Sequence, residues 1–191
     1  MNTPAHLLLG AAVFGRGGGR PLVLAAMAGA MIPDLSLYLL AITSIYVLQI
    51  PPNVVFDELY FSDLWQSIFA VDNSFFVWGA LLALALWRKS SWAIALTSAG
   101  LLHLVLDFPL HHDDGRPHFW PFSNWVFESP VSYWDRNHHA FWVGAVAAIL
   151  SLLCAFVVWK QKPGLILSLA VGVMVAAEFR TASIWMFVFE G

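Results

Sequence analysis

Charge is what this sequence has least of. Only 11% of its 191 residues are Asp, Glu, Lys or Arg, where a soluble domain carries about 25%. With 60% hydrophobic residues, the composition excludes an ordinary water-soluble fold and predicts an integral membrane protein forming one domain over residues 1–191. Positive charge is not in excess either. A net charge of −3 leaves no basic surface for nucleic acid. Cysteine is nearly absent: Cys154 stands alone in an apolar run, which excludes an intrachain disulfide and suits a small packing residue. The opening "MNTPAHLLLG" has no positive stretch ahead of its apolar residues, which argues against a cleavable signal peptide. Internal repeats and low-complexity segments are also missing.

What remains is apolar, aromatic and punctuated. Apolar segments cover 4–14, 21–33, 35–50, 74–87, 91–108, 139–159 and 164–189. A hydrocarbon core needs about 20 helical residues, so 4–14 is short and 21–50 is too long for one straight span. Pro33 is expected to kink that run, because proline lacks the donor N–H and clashes with the preceding turn. The segment "FDELYFSDLWQSIF" (56–69) places Tyr60, Leu64, Trp65 and Ile68 at helical spacing among acids and is expected to lie along an interface. The predicted fold is therefore all-α, a polytopic helical bundle of about five spans. Short or broken N-terminal helices and an interfacial helix complete it. Trp87, Trp92, Trp125, Trp134 and Trp159 flank the apolar runs, as interfacial belts require.

Loop charges give an orientation. Arg16, Arg20, Arg88, Lys89, Lys160 and Lys162 fall in three short loops, and Asp57, Glu58, Asp63, Asp72, Asp113, Asp114, Glu128 and Asp135 fall in the others. By the positive-inside rule the basic loops are cytoplasmic. In a bacterium, the other loops face the periplasm and the protein sits in the inner membrane.

The stretch "LLHLVLDFPLHHDDGRPHFWPF" (101–122) then stands out. It carries four histidines, three aspartates and an arginine between apolar segments. Counted from the basic loops at 1.5 Å per residue, His6, Asp34, His103 and Asp107 lie at heights of roughly 14, 20, 20 and 25 Å. All four can meet in the outer half of the membrane. His103 and Asp107 are i,i+4 and share a helix face. Beyond Pro109, His111 or His112 can turn inward. Two readings stay open: these groups form an N/O ligand set for a divalent metal, zinc first, or they hydrogen-bond one another and join helices.

"AHLLLG", "GAMIPDL" about twenty-five residues later, and "HLVLDFPLH" followed by "WPF" resemble the YdjM-type membrane-bound metal-dependent hydrolases. The resemblance covers most of residues 1–122. That family is in turn similar to the zinc-dependent phospholipase C and P1-type nuclease group, and the resemblance implies metal binding by His6, Asp34, His103 and Asp107, with Asp107 able to bridge two ions. It also implies a phosphoester hydrolase acting on a lipid or lipid-linked substrate. Relatives carry an "HRG-x-THS"-like stretch where this chain reads "IFAVDNSFF" (68–76). Ser74 is retained, but Asp72 and Asn73 replace the expected histidines. Asp72 or His112 would then complete the ligand shell or serve as catalytic base, with Asp114 and His118 as further replacements.

The remaining polar groups have plainer readings. Arg116 suits a phosphate or a solvated turn. His138 and His139 follow Asp135 and Asn137 at the start of a span, where polar residues are ordinary. Glu178 and Arg180 are i,i+2 and do not face each other. They contact different helices, or Arg180 reaches the outer surface. Two other functions compete with the hydrolase. One is a catalytically silent accessory subunit of a larger membrane complex. The other is haem ligation between facing histidines, which the mixed His/Asp set disfavours.

Overall fold

The computed structural model describes residues 1–188, with side-chain surroundings for residues 1–180. The end of the segment expected over 164–189 lies outside the described residues. Among the described residues the secondary structure is helical, with no strand. Helix α1 spans Thr3–Phe14, α2 Gly19–Ile42, α3 Pro52–Val54, α4 Asp63–Asp72, α5 Phe75–Trp87, α6 Ser91–Asp107, α7 Ala140–Lys160 and α8 Leu165–Val188. Three stretches are long and apolar enough to cross a membrane: Gly19–Val47, Asp63–Trp87 and Ala140–Lys160.

Pro33 lies inside a continuous helix. α2 runs from Gly19 through Pro33 to Ile42 and ends in a π-helical turn over Thr43–Val47. Pro33 removes one donor from the helix, but α2 packs along α1 and α6 at this level, which holds it together. The Pro33 carbonyl is also used, accepting hydrogen bonds from Arg116 Nη1 at 3.2 Å and Asn73 Nδ2 at 3.3 Å. The segment expected as one helix over 56–69 divides at Ser62. A π-helical turn covers Val55–Leu59 and α4 begins afterwards, with Ser62 extended and its Oγ accepting from the Trp65 N–H. The division lets Tyr60, Trp65 and Phe69 all pack with Val55 and Ala41.

Small residues bring the central helices together. Ala26 and Ala30 of α2 meet Ala95 and Ala99 of α6. A β-carbon on Gly29 would lie 1.9 Å from the Leu96 carbonyl oxygen, and one on Gly10 would lie 3.0 Å from the Ala26 carbonyl oxygen. Close backbone approach of this kind is how helices associate where apolar surroundings offer no hydrophobic drive. Leu8, Ala11 and Ala12 of α1 pack with Val23, Met27, Ala155, Val158, Leu167 and Val171, which ties α7 and α8 to the same centre. At one end of the bundle Arg20 Nε donates to the Pro163 carbonyl at 2.5 Å, so two basic loops meet. At the other end the start of α1 meets the end of α6.

The polar residues are arranged inside out. His6, Asp34, His103, Asp107 and Glu178 are buried, while Phe141, Trp142, Ile149, Leu152, Leu153 and Phe156 of α7 are exposed. Glu178 accepts from Asn2 Nδ2 at 3.0 Å and so joins α8 to α1, while Arg180 is exposed.

Candidate metal centre

Asp107 ends α6 at the polar end of the bundle, and three imidazoles converge on its carboxylate. His6 of α1 places Nε2 at 2.7 Å from Oδ1. His103, one turn back on α6, places Nε2 at 3.3 Å from Oδ2. His111, four residues on, places Nε2 at 3.2 Å from Oδ2. The Met1 amino nitrogen also contacts Oδ1. The rings of His6 and His103 stack with centroids 3.7 Å apart and planes 19° from parallel. Ligand atoms of His6, His103 and Asp107 lie within 4.8 Å of one another.

Asp34 stands beside this trio. Its Oδ1 is 3.6 Å from His103 Nε2 and 3.9 Å from Arg116 Nη1. Its Oδ2 accepts from Thr3 Oγ1 at 2.5 Å, and Thr3 Oγ1 is 2.7 Å from the Tyr38 hydroxyl. Thr3 and His6 are i,i+3 on α1, so one helix face supplies both an imidazole to Asp107 and a hydroxyl to Asp34.

The hydrogen on His103 can be assigned from its partners. Nδ1 lies 2.8 Å from the Ala30 carbonyl oxygen, which only accepts, so Nδ1 carries the hydrogen. In the neutral ring Nε2 is then a bare lone pair. That lone pair has no hydrogen-bond partner, yet it faces carboxylate oxygens at 3.3 and 3.6 Å. Lone pair against carboxylate is unfavourable in a buried site unless a cation lies between them. A divalent ion placed there would relieve the arrangement. The residues fit it: two imidazole nitrogens and carboxylate oxygen are donors zinc accepts. The Ala30 carbonyl plays the orienting part that metal-binding histidines usually have.

The flanking loop builds a cavity beside the trio. It encloses about 160 Å³ and is lined by Leu37, Phe56, Tyr60, Phe61, Tyr133 and Trp134 with His111, Asp114 and Arg116. Arg116 is buried, with Nη1 donating to Asn73 Oδ1 at 3.0 Å and its guanidinium 4.9 Å above the Phe69 ring. Burial opposes its charge, but Tyr60 and Asp34 outweigh burial and push its pKa up. Its Nε has no partner. His111 also reaches Asp114, with Nδ1 2.9 Å from Oδ2. Burial alone would lower the His111 pKa; Asp114 and Asp107 reverse that and raise it to about 9. Burial raises the Tyr60 and Tyr133 hydroxyls and drives His118 down to about 4.

The structure thus brings His6, Asp34, His103 and Asp107 together. The two residues offered as catalytic from the sequence have hydrogen-bond partners outside the trio. Asp72 accepts from Asn73 Nδ2 at 2.7 Å. His112 sets Nδ1 at 2.7 Å from the Ser129 carbonyl and stacks on His138. His111 turns to Asp107 in its place, a position the i,i+4 spacing from Asp107 already offered. His118 sets Nδ1 against the Arg116 carbonyl at 2.8 Å and packs among Phe75 and Phe108. The roles of Thr3, Tyr38 and Asn73 escape sequence reasoning, although Tyr38 lies i,i+4 from Asp34. Compared with models of protein families, with curated proteins and with solved structures, the chain matches none.

Proposed function

We propose that this is a multi-pass protein of a bacterial inner membrane, with a divalent metal, zinc first, bound toward the periplasmic side. We propose further that it hydrolyses a phosphoester in a lipid or lipid-linked substrate. The observation that carries the reading is the His103 Nε2 lone pair, fixed by the Ala30 carbonyl and aimed at two carboxylates. The apolar exterior of α7 supports lipid as the surroundings, because buried carboxylates and imidazoles belong in a bundle interior when lipid lies outside. In this reading α6 and α8 join the three long apolar stretches as spans. The activity itself rests on the resemblance to the YdjM-type hydrolases.

His6, His103 and Asp107 would hold the ion, with Asp34 closing the shell. Bound there, a divalent ion supplies Lewis acidity and lowers the pKa of water. Arg116 would receive the phosphate through its free Nε, and the aromatic walls of the cavity would hold the adjoining apolar part of the substrate. His111 links the cavity to Asp107, with Nε2 on Asp107 and Nδ1 on Asp114, and would hold both carboxylates in place. Asp72 and Asn73 would position Arg116 rather than touch the reacting atoms.

The test is phosphate release from vesicles of phosphatidic acid and of a polyprenyl pyrophosphate by detergent-purified protein supplied with zinc or manganese. Release that His103→Ala abolishes and Arg116→Met weakens is expected. No release with either metal would refute the hydrolase.

One observation favours a second reading, a silent accessory subunit of a larger membrane complex. Where members of the resembled family carry histidines, Asp72 is bonded to Asn73 and Asn73 to Arg116. Purification from native membranes separates the two, since an accessory subunit co-purifies with its partners.

A further inference from the structure

The cavity beside the metal centre is lined by charges of both signs, and they differ in depth. Arg116 is 4% exposed and its Nε has no partner. Asp57 lines the same cavity and is exposed, so it stands at the rim. The other carboxylate of the wall, Asp114, is taken by His111 Nδ1 and Trp134 Nε1, at 2.9 and 3.0 Å from its Oδ2, which leaves Asp57 to face a ligand.

Most of the remaining wall is aromatic: Phe56, Tyr60, Phe61, Tyr133 and Trp134. Two of these rings are held by their polar atoms. The Tyr60 hydroxyl donates to the Asp114 carbonyl oxygen at 2.9 Å, and Trp134 Nε1 donates to the Asp114 carboxylate as above. Phe61 meets Tyr60 edge to face, with centroids 4.9 Å apart and planes 70° from parallel, so neighbouring walls turn a corner.

These features select a kind of ligand. A buried guanidinium suits a phosphate. Aromatic faces attract a cation, and a carboxylate beside them adds to that attraction. A bare phosphate gains from Arg116 but is repelled by Asp57. An apolar chain gains from the rings but desolvates Asp57 without a partner. A zwitterion, anionic at its inner end and cationic at its outer end, satisfies all three. The volume of about 160 Å³ lies below the roughly 300–1,000 Å³ of sites for whole drug-sized ligands, so the cavity takes a headgroup and leaves the lipid chains outside.

We propose that the cavity binds a zwitterionic phospholipid headgroup, a phosphate ester whose short methylene arm ends in an ammonium, as in phosphoethanolamine. Arg116 holds the phosphate, the aromatic walls hold the methylenes and the ammonium, and Asp57 accepts an N–H of the ammonium at the rim. The proposal rests on the reading of Arg116 as the phosphate site, and not on hydrolysis.

The experiment compares phosphoethanolamine with propyl phosphate, in which a methyl replaces the ammonium. Both are titrated by saturation-transfer NMR into the full chain in a non-ionic detergent with zinc. Phosphoethanolamine should bind about 5- to 30-fold more tightly. Asp57→Asn and Phe61→Leu should each narrow that gap without weakening propyl phosphate, and both positions are exposed, so the core is left alone. Arg116→Met should weaken both ligands. Equal affinities, or a preference unchanged by both Asp57→Asn and Phe61→Leu, overturns the proposal, and the phosphate reading then survives only if Arg116→Met still weakens both. Binding of neither ligand overturns the two together. A preference that the rim variants erase, in protein that releases no phosphate from any lipid, refutes the hydrolase and leaves the headgroup site standing.

Discussion

Replacing Gly29 with alanine tests how the fold sets the metal centre. The added methyl would sit 1.9 Å from the Leu96 carbonyl oxygen and 2.6 Å from its carbonyl carbon. Both are backbone atoms of α6, so no side chain can swing away. Contacts under 3.0 Å are essentially never seen for a β-carbon, so α2 and α6 must part by at least about 1 Å here. Ala30 is the next residue, and its carbonyl is 2.8 Å from His103 Nδ1. Adding 1 Å takes that hydrogen bond out of range. Overpacking typically costs about 1–3 kcal/mol, and the lost hydrogen bond adds about 1 kcal/mol. A destabilisation of about 2–4 kcal/mol is expected. With the His103 ring no longer oriented, metal affinity should fall about 10- to 100-fold. Thermal unfolding in detergent and a competitive zinc titration measure the two effects. Gly79→Ala is the control, since nothing lies within 4 Å of its added carbon; it should gain stability by roughly 0.5–1 kcal/mol. A Gly29→Ala protein with wild-type melting and wild-type zinc affinity would refute both the close crossing and its role in holding His103.

Three further outcomes are expected. Ser74→Ala removes the hydroxyl that caps α5 at the Phe76 and Val77 N–H groups, both at 3.1 Å, and should cost about 1–2 kcal/mol in unfolding experiments; no loss would count against the cap. His118 is buried and its pKa falls to about 4. A base that resists protonation when folded gives stability that is present above its unfolded pKa of about 6.5 and lost as pH falls toward 4. His118→Gln should therefore flatten the stability-versus-pH curve between those values, and an unchanged slope contradicts the assignment. Arg116→Lys keeps the charge but moves the donor, since Arg116 Nη1 alone donates to both Asn73 and the Pro33 carbonyl from the end of a planar group that an ammonium does not reproduce. It should lower the melting temperature as well as weaken phosphate binding, and a normal melt would show that Arg116 does not join the loop to α2.

Much of the site was legible in the sequence because helices have a fixed rise. His6, Asp34, His103 and Asp107 sit at matching heights above the basic loops, and an i,i+4 pair has no choice but to share a face. The continuity of α2 through Pro33 was not legible, because local propensity speaks for an isolated helix and here α1 and α6 flank α2. The break at Ser62 was hidden because the apolar spacing of 56–69 continues across it, and only packing with Ala41 and Val55 reveals the turn. The choice between His111 and His112 was open in the sequence, since a proline-interrupted chain does not fix which neighbour turns inward. The structure settles it with Asp114, which reaches His111, and with Ser129 and His138, which hold His112 elsewhere. Thr3 and Tyr38 were invisible for a simpler reason. Hydroxyls at those positions become partners only once α1 and α2 are brought side by side.

The most direct test of the metal centre is elemental analysis by mass spectrometry of detergent-purified protein, compared with His103→Ala/Asp107→Ala. The account predicts stoichiometric zinc or manganese in the wild type and at least one equivalent less in the double variant. Wild-type protein that carries no divalent metal, and takes none up when it is offered, would contradict it and leave His6, His103 and Asp107 as hydrogen-bonded joints between helices.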